Sequence, residues 1–226
     1  MMEQTYLSII HKITHNNRLY MHIAQFINMG SRSGGSSSGT ITIGNPNSNS
    51  IPVSINKSPW SYEYNYSFCA MIITQSELVS SRNIDSIEFK IDNISSNFTA
   101  NSQKIIMGHI TESDFSSNTP MVDLTDYTVS NKTTVKGTFS KSYTTSDNDT
   151  WVKFDLTTSN FSYNGINNLV IMWENKDSTY EFSGPNTYYD TSFGINLIAY
   201  KRSDSSYPSG SCFLTNERPI MKINYI

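Results

Sequence analysis

Residues 151–175, Trp-Val-Lys-Phe-Asp-Leu-Thr-Thr-Ser-Asn-Phe-Ser-Tyr-Asn-Gly-Ile-Asn-Asn-Leu-Val-Ile-Met-Trp-Glu-Asn, constrain the fold more than any other stretch of this chain. Trp151, Phe154 and Leu156 begin a strand. Phe161 and Tyr163 then lead into Asn164-Gly165, a turn signal because both residues tolerate positive φ. Leu169 to Trp173 form a short unbroken apolar run, the mark of a strand covered on both faces. The stretch reads as a hairpin of a β-sandwich, and it carries no catalytic residue.

The same pattern continues on both sides. Thr40–Ile43 alternates, and Ile87, Phe89 and Ile91 share one face of the segment 86–91. Lys104–Ile110, Thr133–Phe139, Phe193–Tyr200 and Pro219–Ile226 complete the strand set. Turn clusters at 146–149 and 205–210 separate strands, and Gln75–Ser81 is the one candidate helical turn. Many short strands without intervening helices predict an all-β fold, an antiparallel β-sandwich or jelly roll, over residues 40–226. No internal repeat is present.

Residues 1–29 read differently. Tyr6, Ile13, Tyr20 and Ile27 recur every seven residues, with Ile9, Ile10, Ile23 and Ala24 widening the same helical face. This predicts an N-terminal helical anchor or oligomerisation segment built on Tyr6, Ile9, Ile13, Tyr20, Ile23 and Ile27. An amphipathic helix folded back on its own domain, or a frayed leader, is the other reading. Asn16 and Asn17 interrupt the seam, as a register-setting Asn does in a coiled coil. Residues 30–39, Gly-Ser-Arg-Ser-Gly-Gly-Ser-Ser-Ser-Gly, have the composition of a flexible linker. No secretory signal is expected at the N-terminus, since charged and His residues break every apolar run there. Met29 is an alternative start of translation.

Charge narrows the function. The net charge is −3, and the 16 Lys and Arg are scattered, with Lys201-Arg202 the one adjacent pair. Nucleic-acid binding needs clustered cations, so it is not expected. No apolar run approaches the roughly 20 residues of a membrane span, so membrane insertion is not expected either. The two cysteines, Cys69 and Cys212, read as buried core residues, with a disulfide as the alternative. No Cys/His spacing resembles a zinc site.

Several blocks carry a resemblance. Thr40-Ile41-Thr42-Ile43-Gly44, Ile51-Pro52-Val53, Tyr64-Asn65-Tyr66-Ser67 and Thr74-Gln75-Ser76-Glu77-Leu78 follow one another in an order similar to a β-sandwich module of Bacteroidetes surface and secreted proteins. Ile84 to Lys90 resembles its "I-x-S-I-x-F-K" strand, and Met107-Gly108-His109-Ile110-Thr111, with Phe115, its "L-G-H-T" strand and following turn. Asp155-Leu156, Phe161 to Gly165 and Asn168-Leu169-Val170 resemble its "L-D-T-P-F-x-Y-D-G-x-x-N-L-L-V" block. Arg218 to Ile223 resembles its closing strand. One departure is Ala70-Met71-Ile72-Ile73, where that module tends to have Gln-Gln-Ile-Tyr. The module resembles adhesin-type and carbohydrate-binding jelly rolls and implies no catalytic residues. A stand-alone, unexported chain of this kind looks like a phage virion structural protein.

The resemblance therefore implies a non-enzymatic virion surface protein of a Bacteroidetes phage: a capsid decoration, head fibre or tail-associated protein, made in the host cytoplasm. It would bind cell-surface or mucus glycans and contact other virion proteins, and the seven-residue repeat of residues 1–29 would let it self-associate. The alternative is a bacterial cell-surface adhesin or carbohydrate-binding module whose true N-terminus is missing or misassigned.

Candidate chemistry is sparse. Glycoside hydrolysis needs paired carboxylates, and Glu63, Glu77, Glu112, Glu174 and Glu181 show no spacing that singles out a pair. His109, inside an apolar strand, reads as a hydrogen-bonded core histidine. Asp147-Asn148-Asp149 reads as a turn, and a structural calcium there is the one cofactor left open. Aromatic rings stack on sugar C–H faces while amides and carboxylates bond the hydroxyls. That pairing makes Trp60, Tyr62, Tyr64, Asn175, Asp177, Tyr180, Tyr188, Tyr189, Asp190 and Tyr207 the expected ligand-binding edge.

Overall fold

A computed structural model describes residues 38–46, 60, 63–116, 119–180 and 184–226, all within the compact unit Ser37–Ile226. The expected anchor residues Tyr6, Ile9, Ile13, Tyr20, Ile23 and Ile27 lie outside the described residues, as do Ile51–Val53, Tyr62 and Glu181.

The described chain is all-β and sandwich-like. Its strands are β1 (Gly39–Ile43), β2 (Tyr66–Ile73), β3 (Arg82–Asp92), β4 (Phe98–Ile110), β5 (Val129–Tyr143), β6 (Thr150–Asp155), β7 (Phe161–Tyr163) and β8 (Asn168–Asn175). Shorter strands follow: β9 (Asn186–Thr187), β10 (Tyr189–Asp190), β11 (Ile198–Ser203), β12 (Phe213–Thr215), β13 (Arg218–Pro219) and β14 (Met221–Tyr225). One helical turn, α1 (Gln75–Leu78), follows β2, as the sequence predicts. All pairings are antiparallel. The first sheet has the order β1-β14-β3-β6, with β7 and β9 also on β3; the second has the order β12-β11-β2-β8-β4-β5.

The apolar run in β8 explains the layering. Alternate side chains of a strand point to opposite faces. Leu169, Ile171 and Trp173 face the other sheet and join Ile87, Phe89, Ile91, Phe154 and Ile223 in the main core. Val170 and Met172 face away and join Phe68, Ala70, Ile72, Phe115, Leu197 and Cys212 in a second core under the loops. A strand buried on both faces cannot alternate in polarity, and this one does not.

Trp60 sits at the centre of the main core, fully buried, with ring centroids 4.9 Å from Trp173, 5.2 Å from Phe89 and 5.5 Å from Phe154. Each edge or tilted ring pair adds about 0.5–1.5 kcal/mol beyond the area it buries. Trp173 Nε1 donates to Gln103 Oε1 at 2.8 Å, so the indole takes a polar partner into the core. A second polar lock is Arg218, wholly buried, whose guanidinium donates to both carboxylate oxygens of Glu77 (2.9 and 2.5 Å) and to Ile72 O at 3.1 Å.

Two strand expectations need correction. The stretch around Asn164-Gly165 is not a hairpin. β7 pairs with β3 in the first sheet, whereas β8 pairs with β2 and β4 in the second. The turn carries the chain from one layer to the other, because β3 and β2 offer apolar partners on opposite sides of the core. Gly165 has φ +73° there, and a Cβ on it would lie 2.4 Å from Ser81 N, so the position requires glycine. The second correction is at 193–200: pairing begins only at Ile198, because residues 191–197 form the loop that roofs the second core.

His109 is a hydrogen-bonded core residue, 1% exposed. Its Nε2 accepts the Asn164 N–H at 3.1 Å, and Phe161 and Tyr163 flank the ring at 5.0 and 5.8 Å. An accepting Nε2 assigns the proton of the neutral ring to Nδ1. Burial holds its pKa below the ordinary histidine value. Cys69 and Cys212 are both buried and unbonded.

Candidate functional site

Among the described residues, the concavity of interest lies on the outer face of the second sheet. It is a cavity of about 450 Å³ lined by Ser102, Lys104, Gly137, Thr138, Glu174 and Lys176. That volume lies within the usual range for small-molecule sites, roughly 300–1,000 Å³.

β-bulges build it. In β4, Ala100 opposes Lys141 and Gln103 opposes Phe139, so Asn101 and Ser102 together face the single residue Ser140. Ser102 takes φ 52° to do so. One step on, Gln103 opposes Phe139 and Ile105 opposes Lys136, so Gly137 and Thr138 together face Lys104. An extra residue bends a strand and re-aims its side chains. Two bulges in successive pairs, one on each strand, open the sheet edge into a basin.

Glu174 forms its floor. It follows Met172 on the outward face of β8 and pairs across the strands with Lys104 on one side and Phe68 on the other. Its carboxylate side chain is only 7% exposed. Lys176 Nζ lies 2.9 Å and Lys104 Nζ 3.5 Å from the same oxygen, Oε2, and these lysine side chains are 45% and 32% exposed. The Lys176 ammonium also stands 4.1 Å from the Tyr207 ring centroid, a cation–π contact. Tyr207 is held from the far side, its hydroxyl donating to Asp123 Oδ1 at 3.2 Å. Burial, with the Glu174 and Asp123 charges, pushes its phenol pKa far up.

The expected ligand-binding residues divide. Tyr207 borders the basin through Lys176. Asn175 and Asp177 scaffold it: Asn175 is buried and its Oδ1 accepts Gln103 Nε2 at 2.6 Å, while Asp177 Oδ2 accepts the Asn101 N–H at 2.7 Å and braces the bulge. Trp60 is a correction, since a fully buried indole bonded to Pro185 O presents no surface to a ligand. Asp190 is another: it is 6% exposed and accepts the N–H groups of Asn45 and Ser192. Tyr189 pairs with Pro219 at the two-strand ribbon of β10 and β13.

Other aromatics lie elsewhere. Tyr64 stacks under Arg202 at 4.5 Å, and Tyr180 is 44% exposed. Tyr188 lies between β9 and β10 beside β3, its N–H donating to Lys90 O at 3.0 Å; its hydroxyl donates to Asp149 at 3.1 Å and Lys90 covers its ring at 4.5 Å. That bonding, after burial, raises the phenol pKa to about 12. Sequence reasoning missed Trp151 as a surface ring: it lies beside Lys90 on the same outer face, with Lys222 Nζ 4.1 Å from its centroid.

Among the described residues, the carboxylates considered for hydrolysis are dispersed. Glu77 is bound to Arg218, Glu112 accepts the Thr111 hydroxyl, and Glu174 is the one acid of the basin lining. Asp147, Asn148 and Asp149 serve separate structural bonds, to Thr144, Ile94 and Lys90 respectively. Groups of three or more His, Cys, Asp or Glu able to hold a metal do not occur among the described residues.

Comparison with known proteins returned no matching family model, no matching curated protein and no matching solved structure.

Proposed function

We propose that this chain is a non-enzymatic display protein whose sandwich binds a saccharide in the basin of Ser102, Lys104, Gly137, Thr138, Glu174 and Lys176. One observation carries the reading: a sugar-sized cavity whose lining supplies two hydroxyls, two ammonium groups and a single carboxylate already bound to both. Such a lining can donate to and accept from hydroxyl groups. It lacks the second flanking acid that glycoside cleavage uses. Strand order supports a jelly-roll reading of the fold. β1-β14-β3-β6 in one layer and β2-β8-β4-β5, extended by β11 and β12, in the other send the chain across the core after β1, β2, β3 and β5, while β4 and β5 pair within one layer, an order that two Greek keys give.

The blocks along residues 40–226 that resemble Bacteroidetes surface modules support placing the protein on a phage virion, as capsid decoration, head fibre or tail-associated protein. Many copies would then multiply a weak single-site affinity. Two measurements test this. Proteomics of purified virions should find the chain at a copy number matching capsid or tail symmetry. The full chain, multimerised on a glycan array, should bind, and Thr138→Trp, which fills the basin from an exposed strand position, should not. A folded, multimerised chain that binds no glycan rejects the saccharide reading, and turnover of a bound glycan rejects the non-enzymatic one.

A further inference from the structure

We infer that the basin selects an acidic saccharide unit, with a uronate carboxylate seated on the Lys104–Lys176 pair. This rests on the binding reading above and names the ligand chemistry of that same site.

The argument starts from charge balance. A carboxylate as buried as Glu174 needs a cation, since an unpaired buried charge is strongly unfavourable. One lysine meets that need. Lys176 does so at 2.9 Å, and Lys104 is then in surplus, reaching the same oxygen at 3.5 Å. The lining thus carries one net positive charge inside a chain whose net charge is −3. Asp177 and Asp123 are outside the lining, where they accept the Asn101 N–H and the Tyr207 hydroxyl.

Donor count points the same way. An ammonium group has three N–H donors, and Lys104 uses one, at the outer limit of hydrogen bonding. Both lysines are partly exposed toward the basin, so a ligand anion can reach them with modest loss of hydration. The rest of the lining suits a sugar ring. Ser102 and Thr138 offer hydroxyls. Gly137 adds only backbone to the lining. The Tyr207 ring stands beyond Lys176. A bare anion would satisfy the lysines and leave these groups unused; a neutral sugar would leave the surplus charge unused.

The test is saturation-transfer and titration NMR on the full chain with sodium glucuronate, glucose, glucose 6-sulfate and acetate. Glucuronate is expected to bind at least tenfold more tightly than glucose, and more weakly as salt rises. Lys104→Gln and Lys176→Gln should each lower glucuronate affinity about tenfold, the scale of one charge-assisted hydrogen bond, and Lys104→Gln, which spares the closer Lys176–Glu174 pair, should leave the melting temperature within about 2 °C. Lys153→Gln, on the other sheet, should leave binding unchanged. Equal binding of glucose and glucuronate overturns the charge selection and leaves the saccharide reading standing. Binding of acetate as tight as glucuronate overturns the saccharide part. A stronger response to glucose 6-sulfate than to glucuronate overturns the choice of carboxylate. No binding of any sugar by the folded chain overturns both this inference and the reading it rests on.

Discussion

Replacing Arg218 by Met should unlock one end of the sandwich. The wild-type guanidinium makes two bonds to Glu77 and one to Ile72 O, and lies 4.2 Å over the Phe193 ring. Methionine keeps much of the packing and removes all three bonds. Glu77 is then a carboxylate only 16% exposed without its cation. Breaking a buried pair from one side costs about 3–5 kcal/mol. The partial exposure of Glu77 places the expected loss near the lower end, about 3 kcal/mol. For a domain of this size each kcal/mol moves the melting temperature by roughly 2–4 °C, so the drop should be roughly 6–12 °C. Urea unfolding followed by the emission of the buried Trp60 and Trp173 gives the free energy directly. Adding Glu77→Gln removes the stranded charge and keeps the acceptor that caps α1 at Thr74. The double variant should recover more than half of the loss. A single-variant loss below about 1 kcal/mol, the range of a surface pair, would refute the reasoning, as would a double variant no more stable than Arg218→Met.

Four further outcomes are expected. Trp173→Phe leaves the buried Gln103 Oε1 without its donor and should cost about 1–3 kcal/mol by chemical denaturation. Gly165→Ala, with φ +73° and a backbone atom 2.4 Å from the new Cβ, should destabilise clearly more in thermal melts than Gly194→Ala, where φ is +66° and the space is open. Acid should weaken the fold in stages. His109 has a lowered folded pKa, so its contribution is complete above the unfolded value of about 6.5 and is lost as pH falls through the folded one. Burial alone would raise Glu77 and Asp190, but bonds from Arg218 and Thr74, and from Ser192 and Asn45, hold them below their usual values, so their contributions are lost only further down. His109→Gln should remove the first stage from a plot of stability against pH and spare the second. Burial raises the thiols of Cys69 and Cys212, the latter to about 12, so an aromatic disulfide reagent should label neither until the protein unfolds.

Much of the fold is legible in the chain because strand identity is a local property. Ile87, Phe89 and Ile91 alternate and are all buried on one face, and the run from Leu169 to Trp173 is buried on both. Which strands pair is not local, and Asn164-Gly165 shows the difference. Its turn chemistry is right, with Gly165 at positive φ, yet it joins two layers instead of two paired strands. The basin was harder to read because bulges create it. Gly137 inside Thr133–Phe139 was the available signal, since a lone glycine in a strand marks a bulge or a close approach. Ser102 carried none. Asn175 and Asp177 were near the site but are its braces, with Lys176 between them facing the cavity. Trp60 shows why aromatic content does not mark a surface: a large ring before a strand can as readily close the core.

Backbone amide shift mapping with the best-scoring array glycan tests the central claim most directly. Shifts centred on Ser102, Lys104, Gly137, Thr138 and Lys176, with the glycan recovered uncleaved, are the expected result. Shifts centred on the Trp151 and Tyr188 face of the other sheet, or new reducing ends in the recovered sugar, would contradict it.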